Sequence, residues 1–389
     1  MGKKVIMVST NLLKFKPRIY KEAKSLVNAG HKVIVLAWDR EGKYPREETI
    51  EGIRVVRFGP KSRYGSFFDF LVKLPVFYIK AFIFMAKKDF DAIHTHDFDT
   101  AFLGLLFKYI KGKNWVYDVH DLYHTFFEVE GKSTLFSRLL AEIVKRIDAF
   151  FAKCSDRLIV ATQSIGGKHE GLREYYIREG IEAEKITTIW NVPILAQFST
   201  QKVPPKKGRD GFVIGFIGTI RTISNFIPLF EAVKTLNFPV KLLFVGGGKS
   251  LDGLKQLVEK EYPELDVEFV KSVPYQEVPS YYRMCNVVYS CFPIRENVKR
   301  GVSVKVFEAT VLGIPVIVND DTLNSDYVRE YRCGVCADID SIDDLRQKLL
   351  LVRSLRPFNF KIIRKKWNWR RMEDRLLKVY SIVMGGGME

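Results

Sequence analysis

Short apolar runs alternate with longer amphipathic ones along most of this chain; the alternation stops once and then restarts. In the first half, Val5–Val8, Val33–Ala37, Val55–Phe58, Ala92–His94, Val116–Asp118, Leu158–Ala161 and Ile186–Trp190 read as strands. Between them, Arg18–Asn28, Phe67–Lys87, Ala101–Tyr109 and Leu135–Ala152 repeat apolar residues at helical spacing. Gly30 ends the first helix as a C-cap glycine does. Strand–helix–strand alternation predicts a largely parallel sheet with helices on both faces.

The interruption is residues 197–211, polar and basic with two prolines, which reads as a linker. Strands then resume at Val213–Ile217, Val240–Val245, Val267–Val270, Val287–Ser290 and Val316–Val318. Helical patterns resume at Asn225–Leu236, Ser250–Tyr262, Glu277–Arg283, Val302–Leu312 and Ile342–Leu351. Lys365–Met384 reads as one long amphipathic helix, followed by a Gly385-Gly386-Gly387 tail. The expected fold is α/β: Rossmann-like domains over 1–196 and 212–364, joined by the linker, with the terminal helix of 365–389 returning to the first. Two such doubly wound parallel sheets, facing each other, would place a ligand cleft at the carboxyl ends of their strands.

A length of 389 residues suits two domains of roughly 150–200 residues each. With 47% hydrophobic and 28% charged residues, both can bury a core, which excludes wholesale disorder. Five cysteines, with only four residues before the first apolar run, predict a reduced, cytoplasmic protein without a secretory segment. The net charge of +17 favours an anionic partner. The basic residues are scattered and no zinc-finger, RNA-recognition or basic-zipper signature occurs, so nucleic acid is not the expected partner. No uncharged apolar run reaches membrane-spanning length. Phe67–Ala86 comes nearest but carries Asp69, Lys73, Lys80 and Pro75. It reads either as an aromatic-rich helix packed on a sheet or as one dipping into an anionic bilayer surface beside Arg63, Lys87 and Lys88.

Chemistry concentrates in three places. Gly301 precedes a helix start at Ser303-Val304-Lys305, and Glu308 stands one and a half turns further on. Free helix amides form an anion site, and five residues span roughly 7.5 Å at about 1.5 Å each. That separation matches a diphosphate and its ribose, with Lys305 as a cation; the plain alternative is a surface Lys–Glu pair. Gly215-Phe216-Ile217-Gly218-Thr219-Ile220-Arg221 is a strand ending in a glycine turn with a guanidinium beyond; it reads as a phosphate contact or a simple βα turn. Gly246-Gly247-Gly248-Lys249 reads as a turn. In the first half, His94, His96 and His120-Asp121 follow strands. His120 reads as a contact to a sugar hydroxyl or as a satisfied structural histidine. His94-Thr95-His96 with Cys333 and Cys336 lacks the spacing of a zinc site, so no metal is expected.

These pieces, in this order, resemble the group 1 retaining glycosyltransferases of GT-B fold, family 4-like. The marks are Pro17–Ala23 with Ala29–Val33, Asp91–Asp97, Tyr117–Asp121, Trp190–Pro193, Phe216–Thr219 and Lys305–Ala309 through Gly313–Val316. The resemblance implies sugar transfer from a nucleotide diphosphate sugar, UDP- or GDP-linked, to a hydroxyl of a glycan or lipid-linked glycan. It implies retained configuration, no metal and no further cofactor, in the cytoplasm or on the inner membrane face. By likeness, Gly218, Thr219 and Arg221 would hold the diphosphate with Ser303, Val304 and Lys305; Glu308 would bind ribose; and His120 would touch the donor sugar. Asn11, Arg18, His96 and Asp97 would lie on the acceptor side.

The sequence departs from that family at three places. Arg300 stands where a glutamate is usual, which predicts an altered choice of sugar. Ile223–Phe226 replace a second phosphate lysine, and Asn11–Lys16 replace a glycine-rich turn. The alternatives are a nucleotide-sugar epimerase or hydrolase, with Glu296 the nearest carboxylate base, and a non-catalytic binder. Asp97-Phe98-Asp99 has the Asp-x-Asp form of metal-dependent, single-domain glycosyltransferases, or it caps a helix.

Overall fold

The computed structural model describes residues 2–13, 17–62, 67–127, 134–199 and 211–385. Residues 14–16, Arg63, most of the expected linker (200–210) and the glycines at 386 and 387 lie outside them.

The chain forms two compact units. Unit 1 comprises Met1–Gln163, Leu172–Trp190 and Met372–Glu389; unit 2 comprises Ser164–Gly171 and Asn191–Arg371. This division differs from the expected boundaries: Ser164–Gly171 and Asn191–Val192 through residue 196 belong to unit 2, and the chain rejoins unit 1 at Met372 rather than at 365.

Unit 1 contains β1 (Lys4–Ser9), β2 (Lys32–Trp38), β3 (Glu47–Ile50), β4 (Ile53–Phe58), β5 (Ala92–His96), β6 (Asn114–Val119), β7 (Arg157–Val160) and β8 (Ile186–Thr188). They make one sheet in the order β3-β4-β2-β1-β5-β6-β7-β8, parallel except for β3. The edge strand β3 (Glu-Glu-Thr-Ile) carries too little apolar alternation to be legible beforehand. Helices α1 (Pro17–Asn28), α2 (Phe67–Ala86), α3 (Phe98–Lys111) and α4 (Leu135–Cys154) fall where the helical spacing predicts. One core joins Ile6, Leu36, Trp38 and Tyr117 of the sheet to Phe77 and Met85 of α2, Phe107 of α3 and Phe151 of α4. The last three helices therefore cover one face together.

Unit 2 contains β9 (Phe212–Ile217), β10 (Val240–Val245), β11 (Asp266–Val270), β12 (Val287–Ser290), β13 (Val316–Asn319) and β14 (Gly334–Ala337). All pair in parallel in the order β11-β10-β9-β12-β13-β14, the dinucleotide-fold order. The order in which the chain adds strands reverses between β1 and β5 in unit 1 and between β9 and β12 in unit 2, the strands themselves staying parallel. The crevices outside the carboxyl ends at these two points are where such sheets take ligands.

The single terminal helix expected over Lys365–Met384 is two helices, Phe360–Lys366 and Trp369–Val383. The Asn368 side-chain amide donates to the carbonyls of Arg364 and Lys365 and so terminates the first. The Trp367 ring, 5.1 Å from Phe307 and 5.5 Å from Tyr327, is buried between unit 2 side chains, which a continuous amphipathic helix would not allow.

Candidate active site

At the reversal point of unit 2, β9 ends at Ile217 and turns through Gly218 at φ 144°, a conformation that disfavours a side chain. A Cβ on Gly246 would stand 2.1 Å from the Gly218 carbonyl oxygen, and one on Gly248 would stand 2.2 Å from that of Ile220. The triple-glycine turn therefore lets the β9 and β10 tips lie backbone to backbone.

Lys305 closes on this turn from the helix Val304–Thr310, its Nζ 3.6 Å from where a Cβ on Gly218 would be. The Lys305 ammonium lies 3.5 Å from the centroid of the Phe216 ring. Burial lowers its pKa; Glu308 opposes and Arg221 reinforces that shift, leaving it at about 7. Glu308 is itself buried and accepts hydrogen bonds from the hydroxyls of Tyr275 (2.5 Å) and Tyr282 (2.7 Å). Those two tyrosines fix the carboxylate, and sequence reasoning missed both: a tyrosine on a short helix carries no motif. Thr219 and Arg221 are exposed beyond the turn.

Ser303 occupies the helix N-cap, but its amide donates to Asn324 Oδ1 at 3.0 Å. Its N–H is therefore committed to the protein, which corrects the expectation that it faces phosphate. The amides of Val304 and Lys305 are the next in line, at the turn where a helix leaves its donors unpaired. Arg300 is held by Glu296 (2.7 Å) and by Glu170 (2.8 Å) of the Ser164–Gly171 segment. Its charge is thus matched twice. The same pair commits Glu296, the carboxylate that an epimerase or hydrolase reading requires.

In unit 1, the reversal point holds a buried polar network. His120 bridges two carboxylates, with Nε2 2.8 Å from Asp118 and Nδ1 3.2 Å from Asp97. Burial lowers its pKa, but the two carboxylates outweigh burial and push it up to about 9. Arg18 binds Asp118 through both Nε and Nη2 and donates to the Ile189 carbonyl. Burial alone would raise the pKa of Asp118, yet Arg18 and His120 hold it well below the usual range. Glu22 is pushed up to about 8 by burial and by Asp118, so it keeps its proton at neutral pH. Burial keeps His94 and His96 deprotonated. Two cations thus face two carboxylates, and the remaining groups are neutral.

Arg18, His96 and Asp97, expected on the acceptor side, are only 3%, 1% and 5% exposed. They belong to the network that holds His120. Asn11 is half-buried, its amide donating to Ser9 Oγ. Asp97 occupies the N-cap of α3 without a side-chain cap bond; its Oδ1 instead accepts from the His120 amide at 2.9 Å. Asp99 accepts from the Thr10 hydroxyl. Both acids of the Asp-x-Asp triplet are thus turned inward, onto donors of the protein itself. One ligand atom each from Glu22, His94, His96 and Asp118 lies within 4.8 Å of the others. Asp118 is already balanced by Arg18 and His120, so a dication there would meet the Arg18 guanidinium; this donor set does not fit one. Cys333 and Cys336 belong to unit 2 and are free thiols.

The family model described as glycosyl transferases group 1 matches residues 197–368, and that of glycosyltransferase family 4 matches residues 18–192. The chain belongs to the group 1 glycosyltransferases. This glycosyltransferase is 23% identical, over 295 residues, to the Escherichia coli UDP-Gal:alpha-D-GlcNAc-diphosphoundecaprenol alpha-1,3-galactosyltransferase, covering 72% of this chain and 71% of that one. Its fold is GT-B. Sucrose-phosphate synthase from Thermosynechococcus elongatus superposes with a TM-score of 0.75 at 16% identity, over 99% of this chain and 100% of that one. Anabaena HepE in complex with UDP and glucose superposes with a TM-score of 0.70 at 16% identity, over 98% and 100%.

Proposed function

We propose that this glycosyltransferase moves a hexose from a UDP-sugar to a hydroxyl of a lipid-linked glycan, with retention and without a metal. The observation that carries the reading is the unit 2 reversal point, where a glycine turn, a buried lysine and a tyrosine-fixed glutamate converge. Gly218 admits the diphosphate, and Thr219 and Arg221 close on it from the exposed side. Lys305 and the helix amides of Val304 and Lys305 stabilise the charge that grows on the leaving diphosphate, the term that dominates such reactions. Glu308 accepts the ribose hydroxyls. The acceptor hydroxyl attacks from the face the diphosphate leaves, and a phosphate oxygen takes its proton, so no protein nucleophile is needed. Lys305 and Arg221 supply the countercharge a metal would otherwise bring.

The donor and acceptor classes rest on the Escherichia coli relative, which uses UDP-Gal and a GlcNAc-diphosphoundecaprenol acceptor, and on HepE, which holds UDP and glucose. The test is turnover of UDP-galactose and UDP-glucose on a prenyl-diphosphate GlcNAc acceptor with a chelator present. The proposal expects an α-linked product at undiminished rate. A β-linked product would overturn retention, loss of turnover in chelator would overturn metal independence, and no product from either donor would overturn the substrate class.

A further inference from the structure

The chain leaves unit 1 after Gln163 and re-enters it at Leu172, and the strap between them, Ser164–Gly171, belongs to unit 2. Its seat is the start of the helix Leu323–Tyr331 and the turn before it. The His169 amide donates to Asp326 Oδ2 at 2.7 Å, and His169 Nε2 lies 3.1 Å from Asp321 Oδ1. Lys168 reaches the same Asp321 oxygen at 2.7 Å. At Gly167 a Cβ would stand 2.3 Å from Asp326 Cγ, so the strap lies flush on that carboxylate because this position has no side chain. Glu170, next along, takes the Arg300 guanidinium at 2.8 Å.

Arg300 is also where the stretch leading to Val304 and Lys305 begins. It ends the short helix Glu296–Arg300, and the Ser303 amide just beyond is pinned to Asn324. Asn324 stands in the chain between Asp321 and Asp326, at a helix start that Thr322 and Ser325 fix by a capping box. The contacts therefore close into a ring. Glu170 holds Arg300, the chain runs on to Ser303, Ser303 is held by Asn324, the chain runs on to Asp326, and Asp326 holds His169 beside Glu170. An isolated pair between exposed charges contributes little. This pair closes a ring whose other cross-links are made by backbone amides. The loop 301–303 is thus held at both ends and ordered before a ligand arrives.

We propose that the Ser164–Gly171 strap positions the donor loop, and that Glu170 is a positioning residue for sugar transfer. Through Arg300 it sets residues 301–303, and through them the amides of Val304 and Lys305 and the Lys305 ammonium at the Gly218 turn. The inference rests on the reading that this turn takes the diphosphate. The sign of the effect separates positioning from plain electrostatics. Removing the charge of an acid strengthens the binding of an anion by Coulomb attraction alone. Loosening the loop that carries the donor amides weakens it.

The test is titration of UDP into the full chain and its Glu170→Gln, Gly167→Ala and Lys305→Ala variants, with uridine, which lacks the diphosphate, titrated in parallel. The proposal expects Glu170→Gln and Gly167→Ala each to weaken UDP about tenfold while uridine affinity holds. The double variant Glu170→Gln/Arg300→Gln should lose no more than Arg300→Gln alone, because both changes break the same link. Hydrogen exchange at the Val304 and Lys305 amides should quicken in both strap variants. UDP binding by Glu170→Gln as tight as wild type or tighter, or a loss shared equally by uridine, would overturn the proposal. Lys305→Ala separates the two ideas. If it loses UDP while Glu170→Gln does not, the strap inference alone is wrong; if it binds UDP like wild type, the donor-site reading falls and the inference with it.

Discussion

Lys305 holds its ammonium over the face of Phe216, 3.5 Å from the ring centroid, with burial drawing its pKa down to about 7. A diphosphate placed beside it would restore the charge, so binding should take up a proton. Below pH 7 the lysine is already charged; above it the ligand must recharge it. UDP affinity should therefore fall as pH rises from 7, by up to about tenfold per unit. Titration calorimetry across pH 6.5–9 checks this, and Lys305→Arg, charged throughout, should flatten the profile.

Glu308 accepts from Tyr275 and Tyr282, so its carboxylate is aimed before any ligand arrives. Glu308→Ala should weaken UDP binding at least about tenfold, or about 1.4 kcal/mol. Tyr282→Phe should cost less, because the carboxylate survives with one anchor. Equal affinities for wild type and Glu308→Ala would remove this residue from the site.

Gly246 admits the Gly218 carbonyl where a Cβ would stand 2.1 Å away. Gly246→Ala should destabilise unit 2 by on the order of 2–4 kcal/mol and weaken UDP binding with it. Thermal unfolding beside UDP titration measures both, whereas a plain turn would lose neither.

His120 has a folded-state pKa of about 9 against an ordinary value of 6.5. A raised pKa contributes stability that is complete below pH 6.5 and disappears as pH climbs through 9. The advantage of wild type over His120→Asn should therefore shrink steadily across that window, by up to about 1.4 kcal/mol per unit. Glu22 has the opposite sign: burial keeps it protonated to about pH 8, so ionising it penalises the fold. Glu22→Gln should raise the melting temperature at pH 8–9 more than at pH 5.

Much of the fold was legible because doubly wound sheets bury both faces of each strand and so write near-continuous apolar runs. β9 and β10 show this plainly. The edge strand β3, half exposed and rich in glutamate, left no such trace. Gly218, Lys305 and Glu308 could be picked out because a glycine at a strand tip and charges at a helix start are local patterns. Tyr275, Tyr282 and Asn324 could not, since each meets its partner across 21 residues or more of chain. Arg18 misled in the other direction. A charged residue reads as surface, yet Asp118, 100 residues away, makes its burial tolerable. The break at Trp367 escaped because the amphipathic period runs straight through it, while Asn368 ends the first helix and Trp367 packs against Phe307.

The central claim is that unit 2 takes the nucleotide diphosphate at Gly218, Lys305 and Glu308. A crystal structure of the enzyme soaked with UDP tests it most directly. The account predicts diphosphate oxygens against the Gly218 turn and the Lys305 ammonium, with ribose hydroxyls on Glu308. Density for UDP at any other place, with that turn and carboxylate untouched, would contradict it.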